Sequence, residues 1–372
     1  MPKSRRRKPR RHNQGRRPQS WPSSVPPELG PMLKADELEM RADAAGALRV
    51  IESMPFDSRG KAFWRPERTR RLQQLVALGD AAPAWVWARW VVAQAAQSTP
   101  GDVRRAIDLA VETRGGPSTL WGVDEVDTQC KVIDHDWVYR QLVLHEYRGL
   151  ATFLRRHAGR ELASRAQGIA TWVGVPMGAY ELVDESPSHL TWRDVGADRL
   201  VTSLNLGGGA FGTPGGHVIG RVVESGGACL FESAPLCVPP DVAEAIAASP
   251  ADWVDALADG CRDDYGPWLL VCVAKIHRFD LLCDAPSQLR NGRSSDLALV
   301  LGAITGELDL EDTDVPAAPF VAAALLEPGT AEALGRLLEP ADSAGLTWLA
   351  DTLAEPAGVV CRQLAARLSD AA

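Results

Sequence analysis

His145-Glu146-Tyr147-Arg148-Gly149 opens like the zincin pattern, in which two histidines one helical turn apart face a single metal ion. Gly149 stands where the second imidazole belongs, so the metal pair cannot form, and His145 is expected as a solvated or core-edge histidine. Cys261, Cys272, His277 and Cys283 offer zinc ligands by type, with Cys229 and Cys237 in reserve. Their gaps of 11, 5 and 6 positions match no finger or ribbon, and no metal site is expected. Gly207, Gly209 and Gly212 satisfy GxGxxG, but strand-like sequence follows, whereas a pyrophosphate site needs a helix N-terminus there. As a P-loop, the same segment ends in Gly212-Thr213 and lacks the lysine that carries the phosphate charge. As a kinase loop it has Pro214 where valine is expected, and no HRD or DFG accompanies it. No cofactor is expected. There is no GxSxG nucleophile elbow. The acidic run Glu307, Asp309, Glu311, Asp312 and Asp314 lacks the glycine and terminal glutamate of a calcium loop.

The basic residues offer chemistry of another kind. Lys3, Arg5, Arg6, Arg7, Lys8, Arg10, Arg11, Arg16 and Arg17 place nine cations near the N-terminus, with no acid before Glu28. The rest of the chain holds 31 basic and 48 acidic side chains, so a net charge of −8 conceals −17 outside this segment. Such a cluster displaces counterions from nucleic acid and carries no base information. A second set, Arg59, Lys61, Arg65, Arg68, Arg70 and Arg71, is interleaved with Phe63 and Trp64, the pairing used to hold single strands. The alternative is a helix-leading loop whose aromatics dock into the core while the arginines point outward. On a continuous helix Arg140, Arg148 and Arg155 would fall within about 80° of one another. Arginine outnumbers lysine 34 to 6, a compositional bias, so isolated arginines are not counted as recognition residues.

The elements that must position these residues follow from periodicity. Residues 1–31 are a Pro/Arg/Gln/Ser tail, too poor in apolar residues to offset chain entropy, and are expected to be disordered. Ser4-Arg5-Arg6-Arg7 is similar to the start of a twin-arginine export signal, but Lys8-Pro9-Arg10-Arg11-His12 stands where such a signal needs an apolar stretch; export is not expected. Residues 32–167 read as helical: apolar residues from Leu33 to Met54 recur at three- and four-residue steps until Pro55. A segment from Ala84 that is apolar nearly all round follows, then a helix capped by Asp102 and a long one from about Asp136 toward His157. Residues 168–238 hold six short β-rich segments, beginning at Ile169, Ala179, His189, Arg199, His217 and Ala228, which predict a small β-barrel or rolled sheet. Residues 239–372 return to helix, with Ser249-Pro250-Ala251-Asp252 a strong start signal, Pro267 opening a helix over 267–283, and an acidic loop over 306–319. The fold class is α+β, mainly α: a helical N-terminal region, a central β region and a helical C-terminal region.

The segment from about 87 to 120 resembles one tetratricopeptide (TPR) unit. Trp90 matches the first-helix aromatic, Gly101-Asp102 the turn, Ala106 and Ala110 the small second-helix positions, and Pro117 the terminal proline. Gln94 departs from the very small residue favoured there, and no second unit follows at the expected period. The resemblance implies a binding surface rather than catalysis.

A chain of 372 residues, 45% apolar, can bury a core without disulfides or a structural metal. Seven scattered cysteines with no CxxC pair suit a reducing, cytoplasmic setting, and no apolar run reaches the ~18 residues of a membrane helix. These features predict a non-enzymatic macromolecule-binding protein, tethered to nucleic acid or a ribonucleoprotein by its tail, with a protein partner as a further expectation. Two alternatives are a scaffold of helical hairpins, and an enzyme whose pocket lies near the Gly-rich loop 207–216 and uses His217.

Overall fold

The computed structural model describes residues 29–54, 66–98, 103–116, 129, 132–133, 136–208, 214–261, 280–284, 293–310, 317–327 and 329–371. The tail cations, Arg59, Lys61, Arg65, Cys272, His277, Gly209 and Gly212 lie outside them, as do Pro117 and most of 267–283.

Among the described residues the chain is α+β and mainly α. Five helices come first: α1 (Leu29–Met40), α2 (Ala44–Glu52), α3 (Pro66–Leu78), α4 (Ala84–Ser98) and α5 (Val103–Thr113). Asp43 caps α2 by accepting from the Gly46 amide at 2.7 Å. Helix α4 is buried on every face from Trp85 to Ala95, as its composition requires. The long helix expected from Asp136 is broken. α6 (Trp137–Gln141) widens into a π turn over Leu142–Glu146, the Tyr147 amide donating to the Leu142 carbonyl at 2.8 Å. Arg148 then takes a left-handed conformation (φ 59°) before α7 (Gly149–Arg156) begins. Arg140, Arg148 and Arg155 therefore do not share one helical face. α8 (Arg160–Arg165) and α9 (Ile169–Trp172) complete the N-terminal helices. The segment from Ile169 was expected as a strand. It forms a helical turn after Gly168 (φ 88°), and the Trp172 indole donates to the Glu224 carbonyl at 2.9 Å.

The β region comprises β1 (Gly178–Glu185), β2 (His189–Asp194), β3 (Arg199–Leu204), β4 (His217–Gly220), β5 (Val222–Ser225), β6 (Ala228–Phe231) and β7 (Leu236–Val238). Five strands form an antiparallel sheet in the order β3-β2-β1-β4-β7, and β5 and β6 form a separate ribbon. The described sheet is open, with β3 and β7 at its edges, rather than a closed barrel. The single segment from His217 divides at Arg221 into β4 and β5, one strand in each sheet. Alternation sets the two faces. Ala179, Ile219, Leu236 and Val238 face α10 (Pro240–Ala248) and α11 (Trp253–Gly260), while Tyr180, Leu182, Trp192 and Val218 pack with Phe231 on the other side. Phe231 meets the Trp192 ring edge-on at 5.2 Å.

The C-terminal helices are α12 (Arg293–Thr305), α13 (Ala318–Leu325), α14 (Thr330–Leu337), α15 (Ser343–Thr352) and α16 (Ala357–Ala371). They share one apolar cluster with α2, α3, α4, α7 and the β5–β6 ribbon. A second cluster joins α5 and α6 to α10, α11 and one sheet face. Both clusters cross the sequence boundaries expected at 167/168 and 238/239. The two helices of the TPR-like segment belong to different clusters: α4 packs on α7, α8 and β5, and α5 on α6 and α11. No helix among the described residues is long and apolar enough to cross a membrane.

Candidate functional site

Three cations of the basic, aromatic-interleaved stretch sit on α3, and each faces carboxylates of the chain itself. Arg68 is buried and reaches Glu39 and Asp36, both at 2.6 Å. Arg70 pairs with Glu327 and, at 2.9 Å, with Asp280. Burial lowers the pKa of Arg71, opposed by Glu39 and Asp280. These arginines link α3 to α1 and to the C-terminal region.

A buried polar cluster surrounds Glu232, just after β6. Its Oε2 accepts from the Gln141 amide at 3.0 Å and meets His145 Nε2 at 3.3 Å. Arg221, in the one-residue step between β4 and β5, donates to Gln141 Oε1 at 2.9 Å, to Glu146 Oε1 at 2.8 Å and to the Val175 carbonyl. Glu146 Oε1 also accepts from the Trp253 indole at 3.1 Å. The π turn thus sends two consecutive side chains to different partners: His145 to Glu232, and Glu146 to Arg221 and Trp253. The histidine marked by a failed zincin pattern meets a carboxylate.

Burial alone would raise the Glu232 carboxyl. The His145 contact, the Gln141 amide and the Arg221 charge outweigh burial and hold its pKa down at about 2. Arg140, buried nearby, is lowered to about 10 by desolvation, with Glu232 opposing the shift. A second buried ion pair lies next to this cluster. Arg89 on α4 reaches Asp284 Oδ1 at 2.9 Å and donates to the Phe231 carbonyl at 2.6 Å.

His145 also lines a pocket of ≈ 310 Å³ with Leu144, Arg148, Ala151 and Val173. Leu144 and His145 come from the π turn, Arg148 from the left-handed break and Ala151 from α7. A carboxylate-held imidazole beside an arginine can fix and polarise a small polar ligand.

The other sequence candidates are dispersed. His217 begins β4, and its Nδ1 is buried with no hydrogen-bond partner among the described residues. Gly207 and Gly215 take left-handed conformations (φ 94° and 91°) between β3 and β4, and the described part of the loop leads into a strand, not a helix. Cys261 packs with the α5–α11 cluster and Cys283 with Ala323 and Phe320. No group of three or more potential metal ligands occurs among the described residues. Sequence reasoning missed Glu232, Gln141 and Arg221, because no local pattern marks them. Comparison with known proteins finds no matching family model, no matching curated protein and no matching solved structure.

Proposed function

We propose that this chain is a macromolecule-binding protein whose Arg-rich N-terminal segment supplies affinity for nucleic acid or a ribonucleoprotein, the folded part acting as its cargo or adaptor. The carrying observation is charge separation: nine cations lie within residues 1–20, and −17 in the remainder. The pairing of Arg68 with Asp36 and Glu39, and of Arg70 with Glu327 and Asp280, supports this reading, since it leaves less basic surface to the folded part. A remainder so acidic repels phosphate at long range, so general affinity for a polyanion falls to the N-terminal cluster. The test compares the full chain with a chain lacking residues 1–20 on single-stranded RNA and duplex DNA at low salt. The deletion is expected to remove most binding while leaving the melting temperature nearly unchanged. Equal affinity of the two chains overturns the reading.

A further inference from the structure

The pocket beside the π turn has the features of a built small-molecule site independent of the tail. We propose that it binds a small carboxylate with a compact apolar body, the anion pairing with Arg148. The Arg148 side chain is exposed at the pocket and makes no hydrogen bond or ion pair among the described residues. The other arginines of this region are already engaged: Arg221 with Glu146 and Gln141, Arg89 with Asp284. A free guanidinium presents a planar fork of donors that matches a carboxylate in two parallel bonds.

Its backbone points the same way. Among the described residues Arg148 is one of three non-glycine residues with positive φ, at 59°, a conformation glycine adopts at far lower cost. Gly149 follows immediately yet is used inside the helix. Strain of this kind persists where surrounding structure over-determines it, and it clusters at ligand sites, as do π turns. Here both features deliver side chains to one pocket. Leu144, Ala151 and Val173 make the remaining wall apolar, which selects against a bare inorganic anion. His145 also lines the pocket, its Nε2 held 3.3 Å from Glu232 Oε2. At ≈ 310 Å³ the pocket lies at the small end of ligand sites, so the occupant is a compact molecule.

The experiment uses the full chain and calorimetric titration with phenylacetate, 3-methylbutanoate, phenylacetamide and inorganic phosphate. At least one of the two carboxylates is expected to bind saturably, with phenylacetamide and phosphate at least about tenfold weaker. Arg148→Asn and Arg148→Gly both suit a left-handed position, so they should fold with melting temperatures at or above that of the parent while losing at least about tenfold in carboxylate affinity. Arg148→Lys should retain part of the binding, since it keeps the charge but not the fork. The proposal is overturned if neither carboxylate binds at up to about 10 mM, if the amide or phosphate binds as well as the best carboxylate, or if Arg148→Asn keeps the parent affinity.

Discussion

His145 Nε2 stands 3.3 Å from Glu232 Oε2, joining the π turn after α6 to the loop after β6 across 87 residues of sequence. Arg221 and Gln141 complete the same cluster, so Glu232 is buried with its charge balanced from two elements. Replacing it should unbalance both.

Glu232→Gln is expected to cost about 3 kcal/mol at neutral pH, because Arg221 loses its buried counter-charge. The pH dependence has a fixed sign. A carboxyl whose folded pKa is about 2, against an ordinary 4.5, contributes full stability above 4.5 and loses it as pH falls toward 2. Urea midpoints across that window should therefore fall in the parent and fall less steeply in Glu232→Gln. Parallel curves would contradict the depressed carboxyl.

Asp136 accepts from the Tyr139 amide at 2.6 Å and pairs with the fully buried Arg114. Arg114 is held to about 9 by desolvation. Asp136→Ala removes a helix cap and strands a buried guanidinium, a combined loss of about 4 kcal/mol. Asp136→Asn keeps the capping oxygen and should recover about 1 kcal/mol of that in chemical denaturation. Equal losses in the two variants would mean that the cap contributes nothing.

Much of the architecture was legible because it rests on local pattern. The all-apolar run from Trp85, the helix start near Asp136 and the β-rich segments that form β1 to β3 each constrain the backbone within a few residues. The break at Arg148 was not, since a π turn has no composition signature and the apolar spacing continues across it. The strand expected from Ile169 failed because Gly168 and the Trp172–Glu224 contact favour a helical turn there. Strand β7 was overlooked: three residues before Pro239 are too few to show a period. The partners of His145 and Arg89 lie 87 and 195 positions away, a distance over which one sequence carries no pairing information. Arg89, whose side chain is fully buried, is indistinguishable in sequence from the other scattered arginines of an arginine-rich chain.

Arg68 and Arg70 separate structural from recognition roles. Arg68→Met leaves Glu39 buried beside Asp36 without its cation and should cost about 3 kcal/mol. Arg70→Gln, at a half-exposed arginine that pairs with Glu327 and the buried Asp280, should cost about 2 kcal/mol. Neither substitution is expected to change affinity for single-stranded RNA by more than about twofold, because a group already paired releases few counterions. A tenfold loss of RNA affinity with unchanged denaturation midpoints would place these arginines at the interface instead.

The most direct measurement is the salt dependence of binding by the full chain. If six to nine N-terminal cations displace counterions, log K against log salt should fall with a slope of about −5 to −8 on duplex DNA and about −4 to −6 on single strands. The slope should collapse toward zero when residues 1–20 are removed, and the affinity should not depend on base sequence. A full chain that binds with a slope near zero, or a truncated chain that keeps the full slope, would contradict the assignment of nucleic-acid affinity to Lys3, Arg5, Arg6, Arg7, Lys8, Arg10, Arg11, Arg16 and Arg17.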